Sequence, residues 1–444
     1  MKPIERLLGD QATLSERDPR RSRGFGEDRP QTEEARLWKD LRELSVRLVK
    51  VIQEASPSSP ILITGDWGSG KSSLLEVTRK KLMAEDYLTV WFGAWNYEGE
   101  GPLLPLLLRA LWQHAPRDLI GSREAKRRWQ RLSRLAQKVA KKTPEVALLA
   151  GAVGLNMHLL HLAVPFVERR DDKDGEVDAI ATVHREFGWL VELLAAERSD
   201  HPVVFFIDDL DRCNPLAALS LIESLRLLIG GNEAASEQAP NARYVVALDH
   251  AALVRAVCQK FGGMSTHDGN RYLEKIFPIS FHLPQPAGAD IHQFVQAFLD
   301  PAGDGTPPLI SDDDKDVLGL AMADPIFANP RLMKRCIERF RMVLEFENKA
   351  RPDDYEQLFL AKWIAAGERW PSLRRLFARH GDDYWREIGT YLSGAEADGL
   401  DEERRELLGE QDIRAWLRRE LFGAKGTRLE AYRRADLRLR QFGL

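Results

Sequence analysis

A chain of 444 residues exceeds the size at which a single hydrophobic core keeps growing, so two or more domains are expected. Hydrophobic residues at 44% and charged residues at 30% fit a folded, soluble protein and exclude wholesale disorder. With 64 Lys plus Arg against 68 Asp plus Glu, the formal net charge of −4 gives no overall pull toward nucleic acid or anionic lipid, and either partner would need a local patch.

The first residues, MKPIERLLGDQATLSERDP, lack the apolar core of a secretory signal. Cys213, Cys258 and Cys336 lie far apart without C-x-x-C spacing, which excludes a disulfide framework and a cysteine zinc site. Both features point to a cytoplasmic chain. Residues 1–35 read as a polar arm. Leu37, Leu41, Leu44, Leu48 and Val51 then recur at helical spacing, and Pro57 and Pro60 end the stretch.

Short apolar runs next alternate with helical patterns, the signature of a parallel sheet covered on both faces. The expected strands are Ile61–Thr64, Leu88–Phe92, Val203–Ile207, Tyr244–Leu248 and Ile279–Leu283. Between Arg117 and Lys142 the chain carries ten basic residues against two acids, followed by 22 uncharged residues, Val146–Val167. A straight helix of that length would measure about 33 Å, close to the hydrocarbon thickness of a bilayer. Asn156, His158 and His161 would be costly there, and one crossing would separate two strands that must share a site. The segment reads as a buried helical hairpin or a surface-lying insertion that touches membrane or a partner, not as a span. His158 and His161 have no carboxylate companion that would make a metal site.

The expected organisation is an α/β fold, a parallel sheet sandwiched by helices, with a helical insertion and a C-terminal all-helical region. The boundaries are a polar arm over 1–35, parts of the α/β domain over 36–116 and 178–290, an insertion over 117–177, and a helical region over 291–444.

Gly65-Asp-Trp-Gly-Ser-Gly-Lys71-Ser72 fits the Walker A pattern, with a strand before it and a helix after it. Gly65, Asp66, Trp67, Gly68, Ser69, Gly70, Lys71, Ser72 and Ser73 form the candidate cradle for the phosphates of ATP. Its glycines let backbone N–H groups curl around anionic oxygens at a helix N-terminus. Lys71 would reach the β- and γ-phosphates, and the Ser72 hydroxyl would ligate Mg2+. The apolar run ending in Asp208-Asp209 supplies the second half: Asp208 to hold the metal shell and Asp209 to polarise the attacking water. Arg212, Arg271 and Arg331 are candidates to offset charge on the transferring phosphoryl group, with Arg331, after Asn329-Pro330, preferred. Trp91, Trp95 and Tyr97 alternate as core-packing aromatics would, and Glu98 is either a nucleotide-state sensor or a loop acid. The tail from Phe422 to Leu444, with six basic residues against two acids, and the run 117–142 are read as solvated faces rather than nucleic-acid grips.

The runs IDDLDRC (Ile207–Cys213), WFGAWNYE (Trp91–Glu98), RYVVALD (Arg243–Asp249), YLEKIFPISFHLP (Tyr272–Pro284) and NPRLMKR (Asn329–Arg335) resemble, in order, the KAP family of P-loop NTPases. The resemblance covers roughly residues 36–345. It implies an ATPase core with an extra strand, here Tyr244–Leu248, between the two Walker strands, and Asp249 beside the γ-phosphate. The competing reading of Asp249 is a cap on the helix that follows. The resemblance also implies ATP rather than GTP, and an insertion between the Walker motifs that in the family often carries membrane helices; here it is shortened. Where the family usually has Asn, this chain has Gly93. Members are linked to membrane-associated signalling and to phage exclusion in bacteria. The expected activity is Mg2+-dependent ATP hydrolysis that moves the helical C-terminal region. The alternative is an ATP-locked scaffold presenting a partner-binding or membrane-surface insertion. Self-association or a protein partner would use the helical regions.

Overall fold

The computed structural model describes residues 32, 34, 37–116, 120–152, 173–229, 239–262, 264–286, 288–299, 312–346, 354–392, 402–421 and 428–441. Most of the polar arm, His158, His161 and most of Val146–Val167 lie outside them. The chain divides into two compact units, one of Pro30–Pro308 with Met322–Arg331 and one built on Leu309–Ala321 with Leu332–Leu444.

In the first unit, α1 (Lys39–Glu54) precedes β1 (Ile61–Thr64), which leads through the glycine-rich turn into α2 (Lys71–Ala84) and β2 (Thr89–Gly93). Helices α3 (Leu103–Trp112), α4 (Arg123–Ala152) and α5 (Lys173–Ala196) separate β2 from β3 (Val203–Asp208). Then come α6 (Pro215–Ile229), β4 (Ala242–Leu248), α7 (His250–Lys260), α8 (Thr266–Ile276), β5 (Ile279–His282) and α9 (Gly288–Leu299).

The five strands form one sheet in the order β2-β3-β4-β1-β5. Every pairing is parallel. Strands buried on both faces need no apolar–polar alternation, which is why ILIT and VVFFID are buried at every position. One face, carrying Val90, Phe92, Phe205, Ile207, Tyr244 and Val246, packs into a core with α3, α5, α6 and α7. On α2, Leu74, Leu75 and Leu82 are fully buried, and the helix lies against β2, β3 and β4 with α1 beside it. As the resemblance implied, β4 stands between the two Walker strands β1 and β3. The α/β class holds; β1 keeps its expected bounds, and the other four strands are shifted at one or both ends by one or two residues.

The aromatic alternation stops at Gly93. Ala94–Tyr97 is a 3-10 turn, so Trp95 turns outward and is 49% exposed rather than packed in the core. No helix among the described residues is long and apolar enough to cross a membrane.

The second unit is helical. It contains α10 (Asp312–Met322) but for its last residue, α11 (Pro330–Phe346) beyond its first two residues, α12 (Asp354–Arg369), α13 (Pro371–Leu392), α14 (Glu402–Gly409), α15 (Gln411–Leu421) and α16 (Leu429–Gln441). Its centre is an aromatic cluster in which Trp363 meets Phe377, Trp385, Trp416 and Tyr432. Buried indoles need acceptors. Asp436 serves two of them, 3.1 Å from Trp363 Nε1 and 3.4 Å from Trp385 Nε1, and is neutralised by Arg440. The basic tail is thereby accounted for in part: Arg434 and Arg438 pair with Glu356, and Arg428 with Glu420.

Candidate nucleotide site

The candidate residues converge where β1 and β3 end. The chain leaves β1 at Thr64 and turns through Gly65–Gly70 before α2 begins at Lys71. Ser69 N–H donates to Asp66 O at 3.1 Å, closing the turn. Gly68 and Gly70 adopt φ of +84° and +100°, in the left-handed region that favours glycine. Trp38, at the N-terminus of α1, backs the loop: a side chain at Gly70 would come within 3.2 Å of its ring.

The Lys71 ammonium is buried and donates to Gly65 O at 2.8 Å and Asp66 O at 3.1 Å. It also lies 3.7 Å from Asp211 Oδ2, an ion pair of two buried side chains. Asp211 was not among the expected site residues. Asp209 takes a left-handed conformation, φ 59°, at the end of β3, and the 3-10 turn Leu210–Arg212 folds Asp211 back toward the loop.

Asp208 ends β3 beside Gly93 in register. Its carboxylate accepts a hydrogen bond from the Ser72 side chain and one from the Asp209 backbone. Burial pushes its pKa up to about 6; the Ser72 bond opposes the rise, and the charges of Asp209 and Asp211 add to it. Two predicted metal ligands, 136 positions apart in sequence numbering, thus lie close enough for the Ser72 side chain to act on the Asp208 carboxyl. A hydroxyl and a carboxylate are the hard oxygen donors that Mg2+ accepts while keeping most of its waters. Ser69 Oγ, buried in the turn, has no hydrogen-bond partner, a polar atom in want of a ligand oxygen. The donor set is chemically compatible with a magnesium–phosphate group.

Asp209 forms an ion pair with Arg212, Oδ1 to Nε 2.9 Å. Burial raises its pKa, and Arg212 opposes this first, with Arg331 and Lys71 further down. The Arg212 guanidinium also covers Trp95 at 5.2 Å. Of the three candidate arginines, then, Arg212 is held by Asp209, and Arg271 is exposed on α8 beside Asp268.

Arg331 comes to the loop itself. Its guanidinium lies 4.5 Å from the Trp67 ring centre. Its backbone N–H donates to Asn329 Oδ1 at 3.1 Å and, more weakly, to Gly68 O at 3.4 Å. Asn329 Nδ2 in turn donates to Trp67 O at 2.9 Å. Asn329 is the second residue missed as a site residue, although it opens the NPRLMKR run and stands before Pro330 at a helix start.

Asp249 accepts from Ala252 N–H at 3.1 Å and caps α7, the competing reading of that residue. Glu98 accepts the Asn214 N–H at 2.9 Å, tying the turn after β2 to the start of α6. Burial first, then the charges of Glu98, Asp209 and Asp211, push the Cys213 thiol up to about 11, which disfavours its thiolate. Among the described residues no group of His, Cys, Asp and Glu could hold a metal by itself.

A phage T7 exclusion protein of Escherichia coli (strain K12) is 26% identical in an alignment of 252 residues that covers 53% of this chain and 31% of that protein. The chain thus spans about a third of that relative's length. Two structures of the Aeropyrum pernix ORC2 protein align over 95% of the chain and 89% of theirs. Their TM-scores are 0.41 for the ADPNP-ADP complexes and 0.36 for the ADP form, at 12% and 13% identity. Residues 42–346 match the model of the KAP family P-loop domain, and the chain belongs to that family of nucleotide-binding P-loop NTPases.

Proposed function

We propose that this chain binds ATP with Mg2+ and hydrolyses it. The observation that carries the reading is the meeting of Ser72 and Asp208 next to a glycine turn whose lysine is buried. In this reading Lys71 moves from the loop carbonyls to the β- and γ-phosphate oxygens. Ser72 and Asp208 hold Mg2+, which when bound neutralises charge on those oxygens. Water attacks the γ-phosphorus, the bond to the β-phosphate oxygen breaks, and ADP and phosphate leave. Asp209 orients that water after releasing Arg212, and Arg331 faces the developing charge from beside Trp67. Helix α11 opens in the nucleotide unit at Pro330 and runs on into the helical unit. Nucleotide state would pass along it and move the helical C-terminal region.

A second reading has one observation in its favour: the 2.9 Å pair of Asp209 with Arg212 occupies the carboxylate that hydrolysis needs. The chain would then be an ATP-locked switch with negligible turnover. The biological setting we propose, phage defence, rests on the name of the Escherichia coli relative. Arg123, Lys126, Arg127, Arg131 and Lys138 stand exposed on α4, so nucleic acid and anionic lipid belong in the assay as stimuli.

The test is phosphate release by the full chain with Mg2+–ATP, alone and with DNA, RNA or anionic liposomes. Release that disappears in Lys71→Ala and Asp209→Ala supports the ATPase. ATP binding without release, unaltered by Asp209→Ala, supports the switch. Plaque counts in cells carrying wild type or Lys71→Ala decide the defence role, which equal counts would remove.

A further inference from the structure

We propose that Asn329 is a positioning residue of the phosphate loop, one that shapes the loop for the nucleotide without touching it; this rests on the nucleotide reading above. The carboxamide works in two directions. Nδ2 donates to the Trp67 carbonyl at 2.9 Å, and Oδ1 accepts from the Arg331 N–H at 3.1 Å. The same N–H reaches the Gly68 carbonyl at 3.4 Å. Two successive loop carbonyls are thus fixed by one short turn far away in the sequence.

That fixation sets which way the loop's donors point. In a trans peptide C=O and N–H lie in one plane and point in opposite directions. Holding Trp67 O toward Asn329 turns the Gly68 N–H the other way. The next donor, Ser69 N–H, is bound to Asp66 O. With Gly68 at φ +84°, this is the alternation that lines backbone N–H groups around an anion. The approach is close enough that a Cβ at Gly68 would stand 2.7 Å from Arg331 Cβ and 2.8 Å from Asn329 Oδ1. The turn also sets the Arg331 guanidinium over Trp67.

Only a carboxamide of this length supplies both a donor and an acceptor here. Aspartate keeps the shape, loses the donor and sets a negative charge against the Trp67 carbonyl. Glutamine keeps both functions at a longer reach.

The experiment uses the full chain in wild-type, Asn329→Asp, Asn329→Ala and Asn329→Gln forms. Three quantities are read: affinity for the Mg2+ complex of the β,γ-imido analogue of ATP, KM and kcat for phosphate release, and the melting temperature without nucleotide. Loss of the hydrogen bond is expected to weaken analogue binding and raise KM about tenfold in the Asp and Ala variants, with a smaller fall in kcat as Arg331 loses its hold. Glutamine recovers part of the affinity. A residue that merely held the fold would lower the ligand-free melting temperature and leave KM and kcat of the folded protein alone. If Asn329→Ala fails to fold, the near-isosteric Asp variant carries the test. Wild-type binding with equal affinity in Asn329→Asp overturns this proposal and leaves the nucleotide reading standing. No binding by wild type overturns both.

Discussion

Gly68→Ala is the sharpest probe of how the loop is held, because the structure supplies its own control. Gly68 and Gly99 sit at φ +84° and +87°, so a methyl group at either incurs a similar backbone cost of about 1 kcal/mol. Around Gly99 nothing lies within 4 Å, whereas at Gly68 the added Cβ meets Arg331 Cβ at 2.7 Å and Asn329 Oδ1 at 2.8 Å. Neither is the free end of a flexible side chain. The loop must therefore part from the turn, losing the bonds to Trp67 O and Gly68 O at about 1 kcal/mol each. The Arg331–Trp67 contact goes with them, for about another 0.5 kcal/mol. Gly68→Ala should cost about 2–3 kcal/mol more than Gly99→Ala, taking each hydrogen bond at its ordinary net value. Urea unfolding of the two variants, followed by tryptophan emission, gives the difference as a shift in midpoint at constant slope. Equal midpoints would refute the packing of this turn against the loop.

Other expectations concern the acids. Asp208 has its folded pKa raised from 3.8 to about 6, so the native state holds a proton that the unfolded chain has released across that window. Stability should fall as pH climbs from about 4 to 6, and Asp208→Asn in chelator should be more stable than wild type by about 3 kcal/mol at pH 8. The two should converge below pH 4; a gap that persists there would contradict the burial effect. Asp209→Asn should cut phosphate release about a hundredfold or more while leaving nucleotide affinity within a few-fold, and retained turnover would remove Asp209 from the reaction. In the helical unit, Asp436→Ala leaves Trp363 and Trp385 without their acceptor and Arg440 without its partner. Calorimetry should show a loss of about 3–5 kcal/mol there, and a loss below about 1 kcal/mol would show that the carboxylate is not central to that core.

The sheet was largely legible because its strands are buried on both faces and therefore read as unbroken apolar runs; β1 keeps the expected bounds Ile61–Thr64. The Ser72–Asp208 meeting followed from chemistry, since phosphate and metal demand those groups together. Asp211 stayed hidden because its approach to Lys71 depends on a left-handed Asp209 and a 3-10 turn, neither written in the spacing of IDDLD. Asn329 meets Trp67 across 262 positions, a pairing no local pattern reports. Trp95 misled through its alternation with Trp91, because the strand ended two residues before it. The position of β4 came from the resemblance, as a short apolar run does not state its neighbours.

The central claim is a magnesium–triphosphate site shared by the glycine turn and the end of β3, and titration calorimetry addresses it directly. Wild type titrated with Mg2+ and the β,γ-imido analogue of ATP should bind one equivalent. Lys71→Ala should abolish that heat, and Asp208→Ala should remove its dependence on Mg2+. Binding that is unchanged in both variants, or absent in the folded wild-type protein, would contradict the account.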